Sequence, residues 1–255
     1  MKSIFAEMRD WRRDIHKHPE LGFDETRTSD KIAELLGSFG VEVHMGIGGT
    51  GVVGVLKRGT SEKAIGLRAD MDALPIQEMG KHDHKSVNKG VFHGCGHDGH
   101  SAMLLGAAKY LSEKCDFDGT VYFIFQPSEE NGLGALAMMN DGLFEQFPMS
   151  AIYGMHNMPG IEKGHFSIRK GQMMTSEDNF VIELTGQGGH SSMPHRTYDP
   201  LVAGAEVVTS LQNIISRNLG PEQWGVVSVT ELNTDGARNI IPSNVTIKGD
   251  VRALD

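Results

Sequence analysis

Apolar residues along this chain alternate between two periods. From residue 4 to residue 18, Ile4, Phe5, Met8, Trp11 and Ile15 share one helical face. His18-Pro19 ends that helix, because the residue before a proline is pushed out of the α region. A second helix is predicted from Thr26 to Phe39, with Ile32, Leu35, Leu36 and Phe39 inward and Gly40 just past its end. Short β-type runs follow at Val41 to Met45, Gly51 to Lys57 and Ala64 to Ala69. The helical period returns from His97 to Lys114, where Met103, Leu104, Ala107, Ala108 and Leu111 form the apolar face. Thr120 to Phe125 is almost continuously apolar, the mark of a strand buried on both sides. A helix from Leu133 to Asn140 and a strand from Ala151 to Met155 complete the series. Strands alternating with helices predict an α/β domain with a mostly parallel sheet and helices on both faces.

The pattern changes at Gly171 to Asn179, which is polar, Met-rich and without a period. Beyond it come a strand (Phe180 to Leu184), a long helix (Asp199 to Arg217) and two strands (Val226 to Leu232, Val245 to Val251). This β-α-β-β order opens a ferredoxin-like α+β unit, which a further helix and strand would complete. The reading is therefore a first domain over residues 1–175 and a second, truncated one over 176–255.

Composition narrows the function. A net charge of −9 argues against nucleic acid and anionic membrane surfaces, which call for basic patches. The 39% hydrophobic content supplies a core, yet no run reaches the length of a membrane span. The first ten residues carry charges every few positions and no apolar signal-peptide core, so a cytoplasmic protein is expected. With only Cys95 and Cys115, a disulfide framework is not expected. Cys115, at a helix end, reads as a packed thiol.

The chemistry concentrates in His93-Gly94-Cys95-Gly96-His97-Asp98-Gly99-His100, at the start of a predicted helix. A thiolate and neutral imidazoles are the preferred ligands of zinc-like ions. Asp70 and Asp72 follow one predicted strand, Glu129 and Glu130 a second, and His156 a third. Sites in open α/β sheets form at the carboxyl ends of strands, so these clusters are expected to converge. Two adjacent glutamates repel each other unless a cation lies between them. One can hold metal while its neighbour handles protons, and a water on a divalent ion becomes a good nucleophile near neutral pH. These parts describe metal-assisted hydrolysis of an amide.

Six segments carry a resemblance: His16-Lys17-His18-Pro19-Glu20-Leu21, Arg68-Ala69-Asp70-Met71-Asp72-Ala73-Leu74-Pro75, Gly94 to His100, Phe125-Gln126-Pro127-Ser128-Glu129-Glu130, Gly154 to Pro159 and Gly188 to His195. In this order they resemble the hippurate hydrolase and N-acyl-amino-acid amidohydrolase branch (aminoacylases and IAA-amino acid hydrolases) of the dinuclear metallo-aminoacylase/carboxypeptidase family. The resemblance implies Cys95, His97, Glu130 and His156 as ligands of two divalent ions, with zinc expected first and manganese, cobalt or nickel open. It implies Glu129 as general base and Asp72 as the acid beside the metals. In the second domain, a lid and dimerisation domain, it implies His190 as the histidine that binds substrate and steadies the oxyanion. Asn239 falls in a substrate-contacting segment. The implied substrate is an N-acyl amino acid, and a homodimer is expected. The resemblance covers about the first two thirds of a member. The family's last histidine ligand comes from a later segment, so an inactive remnant or dimerising scaffold is an alternative reading. A di- or tripeptide metallopeptidase with the same chemistry is another.

Plainer roles remain open beside these. Asp70 and Asp72 could cap a turn. His100 could support the ligands or face solvent. His16 and His18 fit a helix end, where protonated imidazole interacts favourably with the dipole. His93 and Arg252 carry little signal, and the Gly-rich 46–51 stretch lacks the context of a nucleotide loop.

Overall fold

The computed structural model describes residues 4–254; the first three residues of the charged N-terminal stretch, and Asp255, lie outside the described residues. The chain divides into two compact units, residues 1–160 and 161–255. The sequence places the join fifteen residues later, and the stretch 161–175 between the two positions holds no helix or strand.

The first unit opens with helices α1 (Ile4–Lys17) and α2 (Thr26–Ser38), then strands β1 (Glu42–Ile47), β2 (Gly51–Arg58) and β3 (Ala64–Asp70). Helix α3 (His97–Lys114), strand β4 (Gly119–Gln126), helices α4 (Gly134–Asn140) and α5 (Leu143–Gln146) and strand β5 (Ala151–Gly154) follow. The sheet order is β1-β2-β4-β3-β5. β4, β3 and β5 pair in parallel, while β2 pairs antiparallel with both β1 and β4, so every strand but β2 runs in one direction.

β4 shows why the α/β expectation holds. Successive side chains of a strand point to opposite faces. Val121, Phe123 and Phe125 pack with Leu36 of α2 and Leu104, Leu105 and Ala108 of α3. Tyr122 and Ile124 pack on the other face with Met138 of α4, Leu143 of α5 and Phe147. Phe123 and Phe125 have no exposed surface, and each such side chain contributes about 1.5–3 kcal/mol of burial energy.

In the second unit, β6 (Ser176–Thr185), helix α6 (Pro200–Asn213), β8 (Gly225–Thr234) and β10 (Asn244–Ala253) realise the expected β-α-β-β order. Their sheet is β6-β10-β8, antiparallel throughout, the strand order of a ferredoxin-like unit without its last strand. Two-residue strands β7 (Gly189–His190) and β9 (Ile240–Ile241) form a small ribbon beside it. Pro200 occupies the first turn of α6, and the Asp199 carboxylate accepts from Leu201 N at 2.9 Å, which stops the helix from starting earlier.

Two boundaries differ from the sequence reading. β6 begins at Ser176 rather than Phe180, because β10 pairs with it as far as Ser176↔Ala253. Polar residues supply that ladder through their backbones, so side-chain periodicity does not reveal it. The long predicted helix ends as α at Asn213 and continues as a π-helical turn, Ile214–Asn218. Among the described residues no helix is long and apolar enough to cross a membrane.

Candidate metal centre

The parallel strands bring the expected clusters together. Asp70 ends β3, the Glu129-Glu130 turn follows β4, His156 lies just past β5, and His97 is the first residue of α3. Cys95 Sγ lies 3.3 Å from His156 Nε2, although sixty-one residues separate them. Ligand-type atoms of Cys95, His97 and His156 form one group within 4.8 Å, and those of His97, Glu129 and Glu130 form another. His97 belongs to both groups and is fully buried.

Each side chain has a specific anchor. His97 Nδ1 donates to Asp72 Oδ1 at 3.1 Å, while the other Asp72 oxygen accepts the backbone N–H of Glu130 at 3.0 Å. One carboxylate therefore fixes both the ring on α3 and the turn after β4. A carboxylate that holds the far nitrogen of a ligating imidazole is a recurrent arrangement at metal sites. His97 Nε2 is left 3.6 Å from Asp70 Oδ2, 3.7 Å from Glu129 Oε2 and 3.8 Å from Glu130 Oε1. These separations exceed a hydrogen bond, yet they are shorter than two metal–ligand bonds of about 2.1 Å each. His97 Nε2 and Glu130 Oε1 are both buried without a hydrogen-bond partner. Leaving such atoms bare costs roughly 1–3 kcal/mol apiece, and a cation between them removes that cost. The donor set of thiolate, imidazole and carboxylate fits a divalent transition ion.

The electrostatics agree. Burial by itself would push the His97 ring toward neutrality, but its bond to Asp72, the nearby Cys95 and the charge of Asp70 outweigh burial and raise its pKa to about 11. The position holds positive charge even when only a proton supplies it. Burial, reinforced by Glu129 and Asp72, raises the Glu130 carboxyl against the opposing pull of His97. Burial also opposes ionisation of Asp72, but His97 and the backbone N–H groups of Glu130 and Glu129 hold its pKa below the usual range.

His100 and Asp70 back the centre, although Asp70 Oδ2 also comes within 3.6 Å of His97 Nε2. His100 Nδ1 donates to Asp70 Oδ1 at 2.6 Å, and its Nε2 accepts the Asn157 backbone N–H at 3.0 Å, so both ring nitrogens are engaged. Arg68 donates to the second Asp70 oxygen at 2.7 Å and to Gln126 at 2.9 Å. This network ties α3 to the turn that carries His156. Against burial, His100, Arg68 and His97 hold Asp70 well below the usual carboxylate range.

Several positioning residues escaped the sequence reading. Fully buried Glu25 accepts from the Ser128 backbone N–H at 2.7 Å and the Thr50 hydroxyl at 2.6 Å. Ser128 adopts φ +49°, a left-handed conformation uncommon outside glycine, immediately before Glu129. Glu25 thus holds the strained turn that presents the two glutamates. Gly96 has φ +96°, and a Cβ there would strike the Asn157 side chain. Arg68 had a signal, since residues two apart on a strand share a face and Asp70 is its partner. Glu25 had none, because its partners lie far along the chain.

The helix-end reading of the first histidine pair divides. His18 Nδ1 donates to the Asp14 carbonyl at 2.8 Å, at the end of α1. His16 is buried and instead faces two carboxylates, Asp98 at 2.9 Å and Glu78 at 3.2 Å. His93 is buried with neither ring nitrogen partnered.

In the second unit, the β7–β9 ribbon brings two sequence-predicted residues side by side. The Asn239 carbonyl accepts the Ser191 backbone N–H at 3.1 Å, one residue after His190. The Ser192 backbone N–H points at His190 Nδ1 at 3.2 Å, which makes Nδ1 an acceptor and leaves the ring proton on Nε2.

Comparison with known proteins agrees with this arrangement. The chain is 51% identical to the hippurate hydrolase of Campylobacter jejuni over 96% of its own length and 63% of that protein. It is 42% identical to the N-acyl-L-amino acid amidohydrolase of Geobacillus stearothermophilus over 96% of its length and 66% of the relative. A solved Bacillus subtilis structure, described as a dinuclear metal binding peptidase from the M20 family, matches with a TM-score of 0.73 and 34% identity over 100% of this chain and 66% of that one. The chain thus spans less than two thirds of the length of the C. jejuni relative. The sequence pattern of Peptidase family M20/M25/M40 covers residues 66–242, from the strand that carries Asp70 to the ribbon that carries Asn239, and the chain belongs to that family.

Proposed function

We propose that the protein hydrolyses the amide bond of N-acyl amino acids, using two divalent ions held by Cys95, His97, Glu130 and His156. The observation that carries this reading is the buried pair without partners, His97 Nε2 and Glu130 Oε1, facing each other beside Glu129. The relatives' names, hippurate hydrolase and N-acyl-L-amino acid amidohydrolase, supply the substrate class.

Bound divalent ions supply Lewis acidity and lower the pKa of water. The chain's own residues do the rest. Asp72 orients His97 through Nδ1 and leaves its Nε2 free, the atom that would hold an ion. Glu129, more exposed than Glu130 at 39% against 22%, has the freedom to take a proton from the attacking water. It then returns that proton to the leaving amine. His190 carries its proton on Nε2, the form that donates to a developing oxyanion. Asn239, beside it in the second unit, contacts the substrate, and the second unit pairs two copies into a homodimer. Zinc is the first choice of metal; manganese, cobalt and nickel suit the same ligands.

The test is hydrolysis of hippurate and N-acetyl amino acids by the metal-loaded protein and its Glu129→Gln variant. The variant is expected to keep its metal content and lose at least about 100-fold in kcat, the usual contribution of a general base. Retained turnover refutes the role of Glu129. A metal-loaded parent that leaves every N-acyl amino acid intact refutes the function.

A further inference from the structure

A second group of ligand-type atoms lies outside the centre described above. It joins the end of α1 to the long connection 71–96, which holds no helix or named strand and delivers Cys95. Connections of this length are uncommon in compact domains unless something holds them in place. This one is tied to the end of α1 by Val87 N→Lys17 O at 2.9 Å and Asn88 Nδ2→Pro19 O at 2.7 Å. His16, Glu78 and His82 converge at the same junction, with ligand atoms within 4.8 Å of one another.

The geometry is directional. His16 Nδ1 faces Asp98 Oδ2 at 2.9 Å, and His16 Nε2 faces Glu78 Oε1 at 3.2 Å. His82 Nε2 approaches the same Glu78 oxygen at 2.9 Å. The other Glu78 oxygen is taken by the Ser86 backbone N–H at 2.6 Å, which fixes the carboxylate. Two imidazole nitrogens and one carboxylate oxygen therefore meet at a point, with separations close to the edge of a tetrahedral site whose bonds are about 2.0–2.1 Å. Asp98, itself held by Arg12 at 3.0 Å, stands behind His16 as a carboxylate stands behind a ligating histidine. The His84 ring lies 4.1 Å from that of His82 and 5.3 Å from that of His16, within reach of a fourth position. His16 and Glu78 are buried while His82 is open to solvent, so an ion has a route in.

Neutral imidazoles are the ligating form. We infer that His16, Glu78 and His82, with His84 beside them, bind a further divalent transition ion of the zinc type, which pins the connection 71–96 to α1. This site uses no residue of the proposed catalytic centre, and its test does not depend on activity.

Cobalt(II) separates the two sites, because a cobalt–thiolate bond gives a near-ultraviolet charge-transfer band and only the first of the two sites contains a thiol, Cys95. Equilibrium dialysis of the whole chain against cobalt is to be compared for the parent, His82→Ala and the double variant His82→Ala/His84→Ala. The exposed position of His82 leaves the core of these variants intact. The expected result is one ion fewer per chain in both variants, with the thiolate band unchanged. Parent-like stoichiometry in the double variant overturns the inference. So does an ion lost together with the thiolate band, since that ion would belong to the Cys95 centre.

Discussion

At the scale of single residues, the centre is built from groups whose burial makes sense only in sets. His97 illustrates this. Its Nδ1 is satisfied by Asp72 while its Nε2 is bare among three carboxylates. Cys95 sits opposite, 3.3 Å from His156. Cys95→Ser exchanges a thiolate for a weakly ligating hydroxyl. It is expected to lower the tightly bound metal by at least one ion per chain, read by elemental analysis after gel filtration; unchanged stoichiometry removes Cys95 from the ligand set. His93 gives a pH prediction. Burial lowers its pKa to about 4, from an ordinary 6.5. Between those values the unfolded chain takes a proton that the folded chain refuses, so lowering the pH through this window removes stability, about 3 kcal/mol from this group by pH 4. Unfolding of His93→Gln in chelator is expected to show a shallower loss between pH 6.5 and 4 than the parent. Parallel curves contradict the assignment.

At the scale of elements, the centre depends on two backbone turns. Gly96 precedes α3 with φ +96° and lies against Asn157, so the thiol, the first residue of the helix and the turn after β5 approach closely. Alanine at 96 adds about 1–2 kcal/mol of left-handed strain and a clash with Asn157. Gly96→Ala is expected to lower Tm and weaken metal binding together; a variant with parental Tm and affinity shows that the turn is not required. The second turn is Ser128, held by Glu25. The elements were largely legible in the sequence, because α3 and β4 carry strong periods and both faces of β4 are apolar. The start of β6 and the π turn at Ile214–Asn218 were not, because cross-strand pairing and helix-end geometry set them. The same limit applies to the centre. That Cys95, His97, the Glu129–Glu130 pair and His156 come together was readable from residue type and strand-end position. Glu25, Asn157 and the approach of His16 to Glu78 were not, since their partners lie from twenty-five to more than one hundred residues away.

At the scale of the whole molecule, the proposed site residues divide between the units. The first gathers the proposed ligands from the ends of two parallel strands, β4 and β5, and from the start of α3, with Asp70 and Asp72 at the end of a third, β3. The second presents His190 and Asn239 on its small ribbon. The first unit is expected to hold metal where its side chains converge. The direct measurement is anomalous diffraction at the zinc edge from crystals of the zinc-loaded chain. Zinc peaks are expected about 2.0–2.3 Å from Cys95 Sγ, His97 Nε2, His156 Nε2 and a Glu130 oxygen. A map with no peak among these residues, and with Cys95 Sγ still 3.3 Å from His156 Nε2, contradicts a metal centre there.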